Sequence, residues 1–176
     1  IDQYNWNNLV DILVNAPEFC YICHIMLVQI AVFWGMGRMN NECMAMLAEQ
    51  WRQICQNYSA DDLLHAFHFV QEHSVILVEE FYKNMLLEKE SAQFLTEQMV
   101  QQRLRNTLIQ WLSESFSVPI NKSYAQAVQK QAMVGHVHAR VGIPSWLIMR
   151  GVREIERKVF ELLQASSQNS MLTACS

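Results

Sequence analysis

From Ser59 onward apolar residues return every three or four positions, and the spacing predicts one helix after another. The run SADDLLHAFHFVQEHSVILVEEFYKNMLLE opens with Ser59, and Asp62 stands three positions on, the spacing of a capping box. Leu64, Phe67, Val75, Val78, Tyr82 and Met85 then recur at helical intervals. In TEQMVQQRLRNTLIQWLSESF, Thr96 is placed to cap, and Val100, Leu104, Leu108 and Trp111 form a stripe at steps of four, four and three. SVPINKS reads as a loop broken at Pro119. Another helix begins near Ser123, its expected cap, and stops near Gly142 and Pro144. The last long helix runs from about Ser145 to Leu163, and the tail QASSQNSMLTACS is polar and weakly patterned. Nothing alternates with the period of a strand, so the expected fold class is all-α.

Composition narrows the function classes. With 176 residues, 51% of them apolar and 17% charged, the chain suits one domain with a sizeable core. A net charge of −4 argues against a nucleic-acid partner, which needs a basic surface. The five cysteines are odd in number and irregularly spaced, which points to a reducing compartment and a cytoplasmic location.

FCYICHIMLVQIAVFWGM runs 18 residues without Asp, Glu, Lys or Arg, the lower limit for a membrane span. His24 and Gln29 interrupt it, and a buried helix suits a chain that otherwise reads as soluble; no membrane partner is expected. The same segment holds CYICH, a C-x-x-C-H match to the c-type haem attachment pattern, so an electron-transfer haem protein is the alternative reading. That chemistry needs export, and IDQYNWNN is not the basic start of a signal peptide. A zinc site on Cys20, Cys23 and His24 lacks a second spaced pair. His65 and His68 are three apart on one helix without an acidic or cysteine partner, and read as a surface pair. No phosphate loop, nucleophile elbow or paired-carboxylate pattern is present, so no catalytic residue is expected.

The stretch VGHVHARVGIP places His136 and His138 two apart on a helix, so they face nearly opposite sides. The helical neighbours of His138 are Val134, Gly135, Val141 and Gly142, a small apolar face open to a flat, bulky group. Those of His136 are Ala132, Met133, Ala139 and Arg140, a mixed face. His138 is either a satisfied core histidine or the fifth ligand of a haem iron. The stripe from Val100 to Trp111 could form the opposite wall, with Met99 near it. Tyr82, on the earlier apolar stripe, needs a hydrogen-bond partner when buried, and a polarised gas ligand would be one.

VGHVHARVGIP resembles the proximal-helix signature of the globin-coupled sensors, where a V-H-x-R-[IV]-G-I-P run carries the haem-ligating histidine. LVEEFYKNML resembles that family's distal-tyrosine helix, and FLTEQMVQQRLRNTLIQW its distal-wall helix. The three agree in order and spacing over roughly residues 45 to 165. The resemblance implies a globin-like helical sandwich around haem b, with His138 as proximal iron ligand, Tyr82 as distal donor and Leu104 as apolar gate. Val100, Leu108, Trp111, Val134 and Val141 would line the pocket. It further implies binding of O2, and of CO and NO, at a five-coordinate haem. It also implies a homodimer through the C-terminal helices and a C-terminal output domain, without turnover in the sensor itself. GIPSWLIMRGV is most similar to members fused to diguanylate cyclases, whose glycine-rich acidic signature this chain lacks. Chemotaxis-linked members tend to carry a tyrosine after the tryptophan; here Leu147 follows Trp146. The expected sensor domain is 39–176, and 1–38 is an apolar extension in which NNLVDILVNA could replace the family's final helix.

Overall fold

A computed structural model describes residues 41–174, with side chains through Ser166. The extension 1–38, including CYICH and NNLVDILVNA, lies outside the described residues. Helix α1 spans Asn41–Cys55, with Glu42 in its first turn and Arg52 in its last, each suited to the helix dipole. Its buried face is Ala48, Trp51 and Cys55, at steps of three and four.

Helix α2, Ala60–Leu87, begins at the capping box expected from sequence. The Asp62 amide donates to Ser59 Oγ at 3.1 Å and the Ser59 amide donates to the Asp62 carboxylate at 3.1 Å. Its buried stripe starts as Ala66, Val70, Ser74 and Leu77, then passes to Val78, Tyr82 and Met85. Val78, Tyr82 and Met85 match the expectation, whereas Leu64 and Val75 are exposed. The core-facing side slides around this 28-residue helix, so one stripe cannot describe both ends.

A 3-10 turn, Ser91–Gln93, leads to Thr96, whose hydroxyl accepts the Met99 amide at 3.2 Å as a true cap. From Glu97 the chain forms one continuous rod: α3 (Glu97–Met99), a π-turn (Val100–Leu104) and α4 (Arg105–Asn121). The Arg105 amide donates to the Val100 carbonyl, five residues back, which is the widened turn. The expected break at Pro119 does not occur. Pro119 sits in the last turn of α4, where its missing N–H costs a single helical bond, and the helix stops at Lys122 in the left-handed region.

Helix α5, Tyr124–Val141, has Ser123 at its N-cap position, but that hydroxyl makes no capping bond, contrary to the sequence reading. Its end is as expected: Gly142 takes φ +82, the Gly142 amide donates to the Ala139 carbonyl and the Ile143 amide to the His138 carbonyl, each at 3.0 Å. Helix α6 spans Ser145–Ala174 and continues well past Leu163, since the polar tail contains neither Gly nor Pro to stop it.

Helix α2 is central, packed on one side by α4 and on another by α6, while α1 covers α5. The ring of Trp51 meets Tyr124 edge-on, with centroids 6.3 Å apart. Between α2 and α6 the Phe81 ring lies against Gly151, where a Cβ would stand 2.8 Å from Phe81 Cε2. Asn84 donates to Glu154 at 2.9 Å and Arg150 pairs with Glu88 across the same seam, while within α6 Arg157 donates to Glu154 at 3.1 Å. The described residues contain no strand, and the architecture is an all-α packing of helices. No helix among them is long and apolar enough to cross a membrane.

Candidate functional site

Tyr82 reaches from α2 toward the rod that begins at Glu97. Its ring is buried, 8% exposed, and its hydroxyl donates to the Leu104 carbonyl at 3.2 Å. The sequence left a gas ligand as the donor's partner; the partner in the structure is this carbonyl, at the end of the π-turn. Burial pushes the phenol up to about 12, so it stays a protonated donor through the physiological range. Phe81 stands edge-on to it, centroids 4.8 Å apart. Val100 is buried, while Leu104 and Leu108 are half-buried against the core beside it.

His138 is half-buried in the last turn of α5, and His136 is exposed, as their spacing requires. His138 Nδ1 lies 2.8 Å from the Val134 carbonyl. A carbonyl only accepts, so Nδ1 carries the hydrogen and the lone pair of the neutral ring sits on Nε2. The backbone is fixed as well, because the His138 carbonyl accepts the Ile143 amide in the helix cap. Val134 is half-buried; Val141, 53% exposed, stands at the surface end of this face.

The structure therefore joins Tyr82 directly to Leu104, and His138 to Val134. The two pairs lie on different helices, and a buried polar chain links those helices. Trp111 Nε1 on α4 donates to Gln131 Oε1 on α5 at 2.8 Å, and Gln131 Nε2 donates to Ser115 Oγ at 3.2 Å. Sequence reasoning missed Gln131 and Ser115, which are both buried. The signal was available: Gln131 is seven positions before His138 on the same helical face, and a polar group there must find partners. His65 and His68 are exposed, and His73 bonds its own helix at the Phe69 carbonyl, 2.9 Å away. No group of three or more metal-binding side chains occurs among the described residues.

The family model described as Protoglobin matches residues 59–174. Among curated proteins, the chain is 23% identical over 126 residues to the diguanylate cyclase DosC of Shigella flexneri serotype 5b (strain 8401), covering 70% of this chain and 32% of that one. It is 21% identical over 124 residues to the diguanylate cyclase DosC of Escherichia coli (strain K12), covering 70% of this chain and 27% of the relative. The chain thus spans about a third or less of these relatives' length. The family match begins at the α2 cap and runs to the end of the described helix α6, taking in Tyr82, Leu104 and His138, and on that evidence the chain belongs to the Protoglobin family as a globin-coupled sensor domain.

Proposed function

We propose that this domain binds haem b on His138, takes up O2, with CO and NO as further ligands, and passes the result to an output domain of the diguanylate cyclase class. The observation that carries the reading is the Nδ1 bond of His138 to Val134, which directs a lone pair onto Nε2 from a half-buried helical face. The donor set suits the group: one imidazole of fixed tautomer on one wall, and an apolar stripe with one buried hydroxyl on the other. When bound, haem supplies a ferrous iron able to take a diatomic gas.

The protein's own part is positional. Val134 and the Gly142 cap hold the imidazole in place. Leu104 and Leu108 offer apolar surface that disfavours water. Tyr82 donates its proton to Leu104 at rest and would have to turn from that carbonyl to serve a ligand bearing partial negative charge. Trp146 is exposed and Leu162 and Leu163 are half-buried on α6, which supports a homodimer built around this helix. The names of the relatives support the output class.

Haem titration of the purified chain tests the reading. The expected result is a Soret band that shifts with CO and with O2 in the ferrous state, and a pigment that acid-acetone extracts completely. No Soret band rejects haem binding, and a pigment that stays with the protein rejects haem b in favour of covalent attachment.

A further inference from the structure

We propose that Gln131 is a positioning residue that couples the distal wall to the proximal histidine; this deepens the haem reading and rests on it. Its side chain is 3% exposed, yet both ends of its amide are engaged. The carbonyl end accepts the Trp111 indole at 2.8 Å, and the amino end reaches Ser115 Oγ at 3.2 Å. Both partners are on α4, four residues apart, so one amide grips one turn of that helix. Trp111 ends the same stripe that carries Leu104, the acceptor of the Tyr82 hydroxyl. On its own helix, Gln131 is succeeded on one face by Gly135, which is buried, and then by His138.

The path is continuous: Tyr82 hydroxyl, Leu104 carbonyl, the α4 backbone to Trp111, the Gln131 amide, and two turns of α5 to His138. Hydrogen bonds shielded from solvent, as the Gln131–Ser115 bond is fully and the Trp111–Gln131 bond partly, are strengthened and rigidify the packing they join. A shift or rotation of α4 at Trp111 is therefore transmitted to α5 instead of being absorbed by a sliding apolar contact. Gln131 touches no ligand in this scheme. It sets where α5 lies against α4, and with it the approach of the imidazole.

The test uses the full chain with Gln131→Met, which keeps the volume and removes both bonds, and Trp111→Phe, which removes the indole donor together with the volume of its five-membered ring. In apo-protein, the indole hydrogen-bond marker of ultraviolet resonance Raman should report a bonded Trp111 in wild type and its loss in Gln131→Met. In ferrous, haem-loaded protein, the iron–imidazole stretching band should shift in both single variants. The double variant should shift no further than Gln131→Met alone, because both changes cut one link. Haem loss from Gln131→Met should be faster, by less than the roughly tenfold that removal of a direct partner of a metal ligand brings, because Gln131 acts on His138 only through α5.

A merely structural role would lower thermal stability and leave the iron–imidazole band where it is. That outcome, additive shifts in the double variant, or an unbonded indole in wild-type apo-protein each overturns the proposal. A wild type that takes up no haem overturns it together with the haem reading, and is told apart by the missing Soret band. Should Gln131→Met fail to fold, Trp111→Phe alone decides: a shifted band supports the coupling and an unchanged band sinks it.

Discussion

His138 is held by its own helix: its ring bonds to a carbonyl four residues back and its backbone bonds to an amide five residues ahead. Tyr82 is held by a different helix, through a carbonyl 22 residues away that sits at an irregular turn. The first arrangement forms whenever α5 forms. The second exists only once α2 and the π-turn have packed together. The His138 contact is thus local and the Tyr82 contact long-range, since a local bond closes a short loop and a long-range one depends on tertiary order.

The strongest way to break this contrast is His138→Ala. Haem uptake should be abolished while the helical content of the apo-protein stays near wild type, because a single local bond worth about 1 kcal/mol is lost. His136→Ala should retain haem. Circular dichroism and a Soret titration on both variants measure it, and the reverse ranking would mean that the exposed and half-buried faces have been assigned to the wrong roles.

Tyr82→Phe ranks second. A hydrogen bond to a charged acceptor is worth about 1.5–3 kcal/mol, so dioxygen release should speed up by roughly tenfold to a hundredfold. Carbon monoxide, less polar, should change far less. Stopped-flow dissociation of both gases decides; equal changes would place the donor elsewhere. In the apo-protein the same variant leaves the Leu104 carbonyl without the Tyr82 proton, so amide exchange should rise in the rod from Val100 and not in α5.

Gly142→Ala should be smaller and fall on the other side. At φ +82 a side chain is strained even though space is open, costing about 1 kcal/mol. Thermal melting should fall by a few degrees, about 2–4 °C, with haem retention weakened but not lost. A melting temperature at or above wild type would show that the cap does not steady the end of α5.

A last signal, confined to alkaline pH, is a titration. Burial raises the Tyr82 phenol to about 12, against about 10 in an unfolded chain. Below pH 10 both states are protonated and the group leaves stability unchanged. Between about pH 10 and 12 the unfolded state ionises first, so stability falls as pH rises. Tyr82→Phe should flatten that part of the pH–stability curve, which chemical denaturation at several alkaline pH values would reveal.

Local signals made much of this legible in the sequence. Ser59 with Asp62, Thr96 and Gly142 each act within a few residues of themselves, and the structure uses all three as expected. The opposite faces of His136 and His138 stem from helical geometry alone. Other features answer to distant partners. Ser123 looks like a cap but makes no capping bond, and Pro119 looks like a breaker but is absorbed by a helix already held in the core. Leu64 and Val75 fit the periodicity and are nevertheless exposed, because the burying partners of α2 change along its length. Gln131 shares the His138 face by spacing, but its partners Trp111 and Ser115 stand on another helix, which spacing does not reveal.

The π-turn has a consequence for how related chains are compared. It accommodates one residue more than an α-turn would, and helix continues on either side of it. A relative without that extra residue would show a one-position gap between Val100 and Leu104, with matching faces before and after. A gap-averse alignment would instead slip every later residue by one place, pairing Leu104 with the counterpart of Arg105. Deleting Gln102 imitates such a relative: α4 should survive as a helix, and the distance along the chain from Tyr82 to its acceptor would shorten by one.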